Sequence, residues 1–407
     1  MTSKHCVVVG GSHAGSQVAL NLAKAGWDGA ITLIGDEPYM PYHRPPLSKD
    51  FLAGAKTLDQ LHLRPSAQYE KANVAVRLGE TVTAIDRSEQ TVTVGDGATL
   101  HYDRLVLATG ARVRRLPTDG AQLPGVFYLR NAADSLAIQA AAETATAAAV
   151  IGGGYIGLEA AATLRKRGLP VTVIEAADRV LQRVTSPEMS AFFERVHTEE
   201  GVDVRTSTGV TRILGTSHVT GVELADGAHI DADLVIVGIG VVPNVELAEA
   251  AGIDCDDGIV VDELARTSDP NIWACGDCAA GHNRYLSRRL RLESVQNAND
   301  QGLVVARSIA GGTEPYDAVP WFWSTQYDVK LQIAGLTTDY TSTVARGDMR
   351  SGRSFALCYL DGTRLIAVDA VNAPRDFIMA RQLLTDRAEV DVDRLQHADT
   401  PLAECRV

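Results

Sequence analysis

The chain has 407 residues, enough for about two or three domains with substantial cores. Its 45% apolar and 22% charged residues are those of a globular protein, and a formal charge of −13 argues against nucleic acid as a partner, since phosphate binding needs a basic surface. No apolar run is long enough to span a bilayer and no secretory n-region and h-region opens the chain, so the expected location is cytoplasmic, with no membrane partner.

The first strand is expected at Lys4 to Val9. It runs into Cys6-Val-Val-Val-Gly10-Gly-Ser-His-Ala-Gly15, an apolar-periodic helix through Ala25, and then Ile31-Thr-Leu-Ile-Gly-Asp36. This is a worn dinucleotide fingerprint: Gly10 and Gly15 hold their places, while Ser12 stands where the second glycine belongs and adds a Cβ near a pyrophosphate. Asp36, after the second strand, restores much of the signal. From Glu37 the chain reads Pro-Tyr-Met-Pro-Tyr-His-Arg44-Pro-Pro-Leu-Ser48-Lys49, where four prolines forbid regular structure up to about Pro46. Ser48 begins or supports a short helix carrying Lys49. The segment is either a rigid surface loop or one that presents Lys49 to a cofactor.

Alternation from Val74 predicts strands at Val82-Thr-Ala-Ile-Asp and Gln90-Thr-Val-Thr-Val, with an Asp96-Gly97 turn before Leu100-His-Tyr. Arg104-Leu-Val-Leu-Ala-Thr-Gly110 returns as a buried parallel strand. Val126-Phe-Tyr-Leu precedes Arg130, and Asp134 starts an alanine-rich helix through Ala145.

The organising stretch is Val150-Ile-Gly-Gly-Gly-Tyr-Ile-Gly157, followed by an alanine-rich helix and Val171-Thr-Val-Ile-Glu175. Gly152, Gly154 and Gly157 fit G-x-G-x-x-G, with Tyr155 and Ile156 between them. Strand, glycines, helix, second strand and terminal acid occur in order, and the helix N-terminus offers N–H groups to phosphates. Glu175 falls 18 residues after Gly157, where a ribose 2′-OH wants an acceptor. Its carboxylate favours NADH by repelling a 2′-phosphate, although Arg179 and Arg183 nearby weaken that preference. Asp226-Gly227 and Leu234-Val-Ile-Val-Gly238-Ile-Gly240 repeat the turn and returning strand of the first half. With 142 positions from Gly10 to Gly152, this is a duplicated plan, and two dinucleotide sites suggest an electron-transfer flavoenzyme.

Further on, Asn271-Ile-Trp-Ala-Cys-Gly276-Asp277 puts a carboxylate at a strand's C-terminal edge, and Ser294 is a plausible N-cap for a helix through about Ala310. Six cysteines show no secreted framework and no metal-ligand spacing with histidine; Cys275 and Cys278 form a C-x-x-C that reads as a redox dithiol or, with Gly276-Asp277 between them committed to another task, as no redox pair. The ten histidines read as ordinary polar or core residues. Arg284, Arg288, Arg289 and Arg291 make either a solvated loop or a basic docking patch. From Trp321 an α+β tail follows: Trp321-Phe-Trp323 with both tryptophans on one strand face, strands around Val329 and Thr341, an Asp361-Gly362 hairpin and a helix near Asp376 to Leu384. Those tryptophans are core residues or an edge contact to a cofactor.

Taken together, the two fingerprints, Arg44-Pro-Pro-Leu-Ser-Lys49, Ala108-Thr-Gly110, Trp273-Ala-Cys-Gly-Asp277, Glu293-Ser-Val-Gln-Asn297 and Pro320-Trp-Phe-Trp-Ser324 resemble a known family over essentially the whole chain. They are similar to the FAD-dependent, NADH-using ferredoxin reductases of the putidaredoxin reductase type, which feed bacterial haem-thiolate monooxygenases and ring-hydroxylating dioxygenases. The resemblance implies an α/β fold of two Rossmann-like nucleotide-binding domains plus a C-terminal α+β domain, like glutathione reductase. Residues 1–112 and 243–320 would bind FAD, 113–242 NADH, and 321–407 would form the third domain.

It implies an FAD shell of Gly10, Ser12, His13, Ala14, Gly15, Asp36, Arg44, Lys49, Val82, Ala108, Thr109, Gly110, Arg130, Asp277 and Val295. NADH would lie on Gly152, Gly154, Tyr155, Ile156, Gly157, Glu159, Glu175, Arg183 and Gly238. Lys49 and Glu159 are implied as an ion pair near flavin N5, with Trp323 beside the flavin where the acceptor docks; no metal is implied. A hydride donor and a one-electron iron–sulfur acceptor need the flavin as converter. The implied partner is a two-iron ferredoxin docking near Arg288 and Arg291. Pro38 to Phe51 contains no cysteine, which disfavours disulfide or peroxide reduction. A rubredoxin reductase, or an FAD- and NADH-binding sensor without fast turnover, remains as the alternative.

Overall fold

The computed structural model describes residues 4–95 and 97–407. The chain forms two compact units, each from separate segments. Residues up to His43, Leu58–Arg112 and Val242–Ala318 make the first; Arg44–Thr57, Val113–Val241 and Val319–Val407 make the second. Residues 44–57 and the C-terminal segment therefore share a unit with the second fingerprint.

In the first unit a five-stranded sheet runs in the order Ile272–Ala274, Arg104–Leu107, Lys4–Val9, Gly29–Gly35, Val74–Leu78, and every pair is parallel. Cys6, Val7 and Val8 are fully buried, as expected of a strand covered on both faces. Helix His13–Lys24 buries Val18, Ala19 and Leu22. Helix Val295–Ile309 begins where expected, because the Ser294 hydroxyl accepts the Asn297 N–H at 3.1 Å. Val82–Asp86, Thr91–Val94 and Ala98–His101 form an antiparallel meander; of the turn expected between the last two strands, Asp96 lies outside the described residues.

The second unit repeats the plan. Its parallel sheet is ordered Asp203–Arg205, Val171–Ile174, Ala148–Ile151, Leu234–Val237, Val126–Tyr128. Helix Tyr155–Lys166, with Ala160, Ala161 and Ala162 buried, packs on its Val171–Ile174 and Ala148–Ile151 strands. Two sequence expectations change. The helix expected from Asp134 to Ala145 is Ala132–Ala141, because Asn131 caps it: its side chain accepts the Asp134 N–H while the Asp134 carboxylate accepts the Asn131 N–H. Regular structure also begins before Pro46, as a 3-10 turn Pro45–Ser48, which Ser48 ends and does not begin, with Lys49 as its C-cap. Prolines are tolerated in a first helical turn, where their missing N–H has no intrahelical partner.

The C-terminal part of this unit is an antiparallel sheet, ordered Trp321–Gln326, Val329–Gly335, Arg364–Val371, Phe355–Asp361, Ser342–Arg346, with helix Pro374–Thr385 against it. It is tied to the nucleotide fold through helix Pro187–Glu199. Arg353 bridges Glu199 and Glu200 to Asp328, and Phe355 packs edge-on to Phe192 at 4.9 Å. Among the described residues no helix is long and apolar enough to cross a membrane, and no cluster of three or more potential ligands is arranged for a metal ion.

Candidate active site

Both glycine turns have the same construction. Gly10 has φ +121°, and a Cβ there would lie 2.0 Å from the Ala108 carbonyl oxygen; Gly152 has φ +110°, and its Cβ would lie 2.4 Å from the Gly238 oxygen. No side chain fits either position, so in each unit the first strand turns sharply into a helix against the neighbouring strand's end. Ala108 and Thr109, and in the second unit Gly238 and Ile239, are thereby the residues facing each turn, while the Gly110 carbonyl accepts the Asn244 N–H at 2.9 Å.

In the first unit Gly10, Asp36, Ala108 and Asp277 all follow the C-terminal ends of adjacent parallel strands, the edge at which open α/β sheets bind ligands. His13, Ala14 and Gly15 form the first helical turn after Ser12, and Asp36 is exposed. Val295 is the first residue of its helix, so its N–H points out of the helix end. Val82 is buried in the meander. Thr109 is tied down: its hydroxyl donates to the Asn244 carbonyl at 2.7 Å and its carbonyl accepts from the Asn244 amide at 2.8 Å.

In the second unit Gly154 is the N-cap of Tyr155–Lys166, and a Cβ there would meet nothing within 4 Å. The helix end thus opens on clear space, with Ile156 44% exposed beside it. A helix N-terminus, with its N–H groups lacking intrahelical partners, next to an apolar side chain suits a pyrophosphate carrying flat rings. Glu175 does more than wait for a ribose: its carboxylate accepts the Gly153 N–H at 2.7 Å and the Ala177 N–H at 2.8 Å, bracing the glycine turn. Arg183 is exposed, with its guanidinium near Gly240. Arg179 is engaged elsewhere, donating to the Thr185 and Gln182 carbonyls and to the Ser190 hydroxyl.

The second unit also holds a buried carboxylate with every oxygen occupied. Glu159, on the inner face of the fingerprint helix, is 2% exposed. Its Oε2 accepts from Ser48 Oγ and Lys49 Nζ, each at 2.5 Å, and its Oε1 from Ser324 Oγ at 2.7 Å. Three donors, one of them the Lys49 cation, compensate a charge that burial alone would make costly. The 3-10 turn positions Ser48 and Lys49, and the Thr163 hydroxyl holds the Ser48 carbonyl at 2.8 Å. Arg44 donates to the Arg130 carbonyl at 2.9 Å in the same unit. Tyr155 packs on Phe322 at 4.9 Å, and Trp323 lies 5.4 Å from Trp321, both on one strand face as alternation requires.

Most of this chain (residues 4–302) matches the family model for pyridine nucleotide-disulphide oxidoreductases, and residues 321–406 match a reductase C-terminal model. The chain belongs to the pyridine nucleotide-disulphide oxidoreductase family. Within it the chain is similar to the ferredoxin reductase subunit of 5,5'-dehydrodivanillate O-demethylase from Sphingobium, at 48% identity over 98% of this chain and 97% of that one. It is 45% identical to putidaredoxin reductase from Pseudomonas putida, covering 98% and 96%. The solved covalent putidaredoxin reductase–putidaredoxin complex superposes with a TM-score of 0.96 at 44% identity, covering 100% of this chain and 98% of that chain. The protein is an oxidoreductase of the ferredoxin reductase branch, using FAD and NAD(H).

The C-x-x-C pair is shut away from solvent. Cys275 and Cys278 are fully buried, and burial pushes both thiols up from their ordinary range, which disfavours the thiolate that disulfide exchange needs. The arginine patch is also less open than its sequence suggests. Arg291 is 9% exposed, paired with Asp257 and Glu293, and donates to the Asp277 carbonyl at 3.3 Å. Arg289 meets Asp256 and Arg284 meets Asp317, so Arg288 is the exposed cation of strand Arg288–Arg291 that meets no carboxylate within 4 Å among the described residues.

Sequence reasoning missed Ser48 and Ser324 as partners of Glu159, and Gln326 and His197 behind them. One signal was available: Ser324 and Gln326 alternate on one face of an aromatic strand, and both are 1% exposed. Polar residues at two successive inward positions imply a buried partner.

Proposed function

We propose that this reductase carries electrons from NADH to a two-iron ferredoxin that serves a haem-thiolate monooxygenase or a ring-hydroxylating dioxygenase. The observation that carries the reading is the duplicated glycine turn, Gly10 against Ala108 and Gly152 against Gly238, which provides two nucleotide cradles in one chain. The first unit would hold FAD, with the helix beginning at His13 against the pyrophosphate, Asp36 at a ribose and Asp277 and Val295 along the rest. The second would hold NADH on Gly152, Gly154 and Gly157, with Glu175 at the ribose. Bound flavin supplies the conversion of a two-electron hydride into single electrons.

The chain's own groups orient and compensate charge. Glu159, paired with Lys49 in the same unit, would meet the carboxamide of the nicotinamide. The Val295 helix end favours negative charge, and Trp323 would face the acceptor. Arg288 would steer an acidic carrier, mainly through the association rate. Occupation of Arg179 by its own turn supports NADH over NADPH, because that guanidinium does not stand ready for a 2′-phosphate.

Anaerobic addition of NADH tests this. Prompt bleaching of the yellow protein, followed by cytochrome c reduction only when a ferredoxin is present, is the expected result. Slow bleaching indifferent to every carrier would instead indicate a nucleotide sensor.

A further inference from the structure

Behind Glu159 runs a line of buried side chains that the reaction described above does not use. Ser324 Oγ donates to Glu159 Oε1 at 2.7 Å; Gln326 Nε2 donates to Ser324 Oγ at 3.1 Å; Gln326 Oε1 lies 2.8 Å from His197 Nε2; and His197 Nδ1 lies 3.4 Å from the Tyr327 hydroxyl. Glu159, Ser324, Gln326 and His197 are all 2% exposed or less, so no solvent replaces a lost partner.

The direction of every bond follows from the carboxylate. An ionised Glu159 only accepts, so the single Ser324 proton must point at it. Ser324 must then accept from the Gln326 amide nitrogen, which turns the amide oxygen toward His197. That oxygen also only accepts, so His197 must carry its proton on Nε2.

We propose that Gln326 and His197 are positioning residues for Glu159: a one-way hydrogen-bond chain that fixes the serine proton on Oε1 and holds the carboxylate in one orientation. An amide in the middle makes the chain a brace and not a proton relay. Burial lowers the His197 imidazole from its ordinary range, which favours the neutral ring the brace requires; the Gln326 hydrogen bond and Glu200 oppose that shift, and the Tyr327 hydroxyl lies against the ring. The functional value of the brace rests on the reading of Glu159 given above, whereas the wiring does not.

The test is the ring tautomer of His197 in holoenzyme labelled with 15N-histidine, its signals assigned by their loss in His197→Gln. The parent is expected to show the Nε2–H form. In Glu159→Gln the new oxygen stays on Ser48 and Lys49, so the new amide donates to Ser324. Ser324 then donates to Gln326, Gln326 turns its nitrogen to the ring, and His197 switches to Nδ1–H. A parent already in the Nδ1–H form, or a tautomer indifferent to Glu159→Gln, overturns the chain.

Gln326→Met keeps the volume and cuts the brace. It is expected to lower the rate of flavin bleaching by NADH about tenfold, with KM for NADH within about twofold, since misorientation costs rate more than affinity. An unchanged rate overturns the positioning role. If the tautomer switches in Glu159→Gln while bleaching is as fast as in the parent, the wiring stands and the role given to Glu159 falls.

Discussion

Lys49 Nζ stands 2.5 Å from Glu159 Oε2, with the carboxylate 1% and the lysine 18% exposed. Truncating one member of such a pair leaves an uncompensated buried charge, whereas truncating both does not. Lys49→Met is therefore expected to lose about 3 kcal/mol of stability, and Lys49→Met/Glu159→Leu to regain most of it. Urea unfolding of both variants reads this directly; equal stabilities would show that the pair is not coupled.

The two kinds of glycine in the second fingerprint should fail differently. Gly152→Ala puts a Cβ 2.4 Å from the Gly238 oxygen at a positive φ, and should yield little folded protein. Gly154→Ala meets nothing within 4 Å in the protein, so it should fold normally and lose NADH affinity alone. Thermal melts beside NAD+ titrations separate the two, and an unstable Gly154→Ala with normal affinity would remove Gly154 from the coenzyme cradle.

Asp369 is fully buried in the second unit, accepting from the Thr185 hydroxyl and the Tyr359 hydroxyl at 2.6 Å each. Burial pushes its carboxyl up from an ordinary 3.8 to about 6, against those two hydrogen bonds. The folded state then binds this proton more tightly than the unfolded chain. Stability contributed by the group is greatest below pH 4, falls as pH rises to about 6, and stays lower above it by about 3 kcal/mol. Asp369→Asn should flatten stability between pH 4 and 7; a slope identical to the parent's sinks the assignment.

Glu175 braces the glycine turn through Gly153 and Ala177 as well as facing the expected ribose site. Glu175→Gln can accept at one oxygen only, so KM for NADH should rise by about tenfold, and by much less for NADPH. Steady-state kinetics with both coenzymes check it. Unchanged selectivity would leave Glu175 a purely structural brace.

Arg288→Glu and Arg291→Glu should likewise part company. The first should slow reduction of an acidic ferredoxin, increasingly so at low salt, with ferricyanide reduction intact. The second breaks ion pairs to Asp257 and Glu293 and the bond to the Asp277 carbonyl, so it should also weaken FAD retention. Identical behaviour of the two in stopped-flow and flavin-release assays would contradict this division.

What the amino-acid order determines here is local. The spacing of turn glycines, an apolar run of strand length, a serine before a helix and an acid after a strand are patterns within a few residues, so both nucleotide folds could be read from one chain. The tail's strands and the shared face of Trp321 and Trp323 follow from period-two alternation in the same way. The partners of Glu159 do not. Ser48 and Ser324 lie 111 and 165 positions from it, and which hydroxyls reach its oxygens depends on how the 3-10 turn and the first strand of the tail pack on one helix. Folding likewise turned Arg291 inward onto Asp257 and Glu293, shut Cys275 and Cys278 away, and raised Asp369, because charge and reactivity depend on burial and on neighbours distant in sequence.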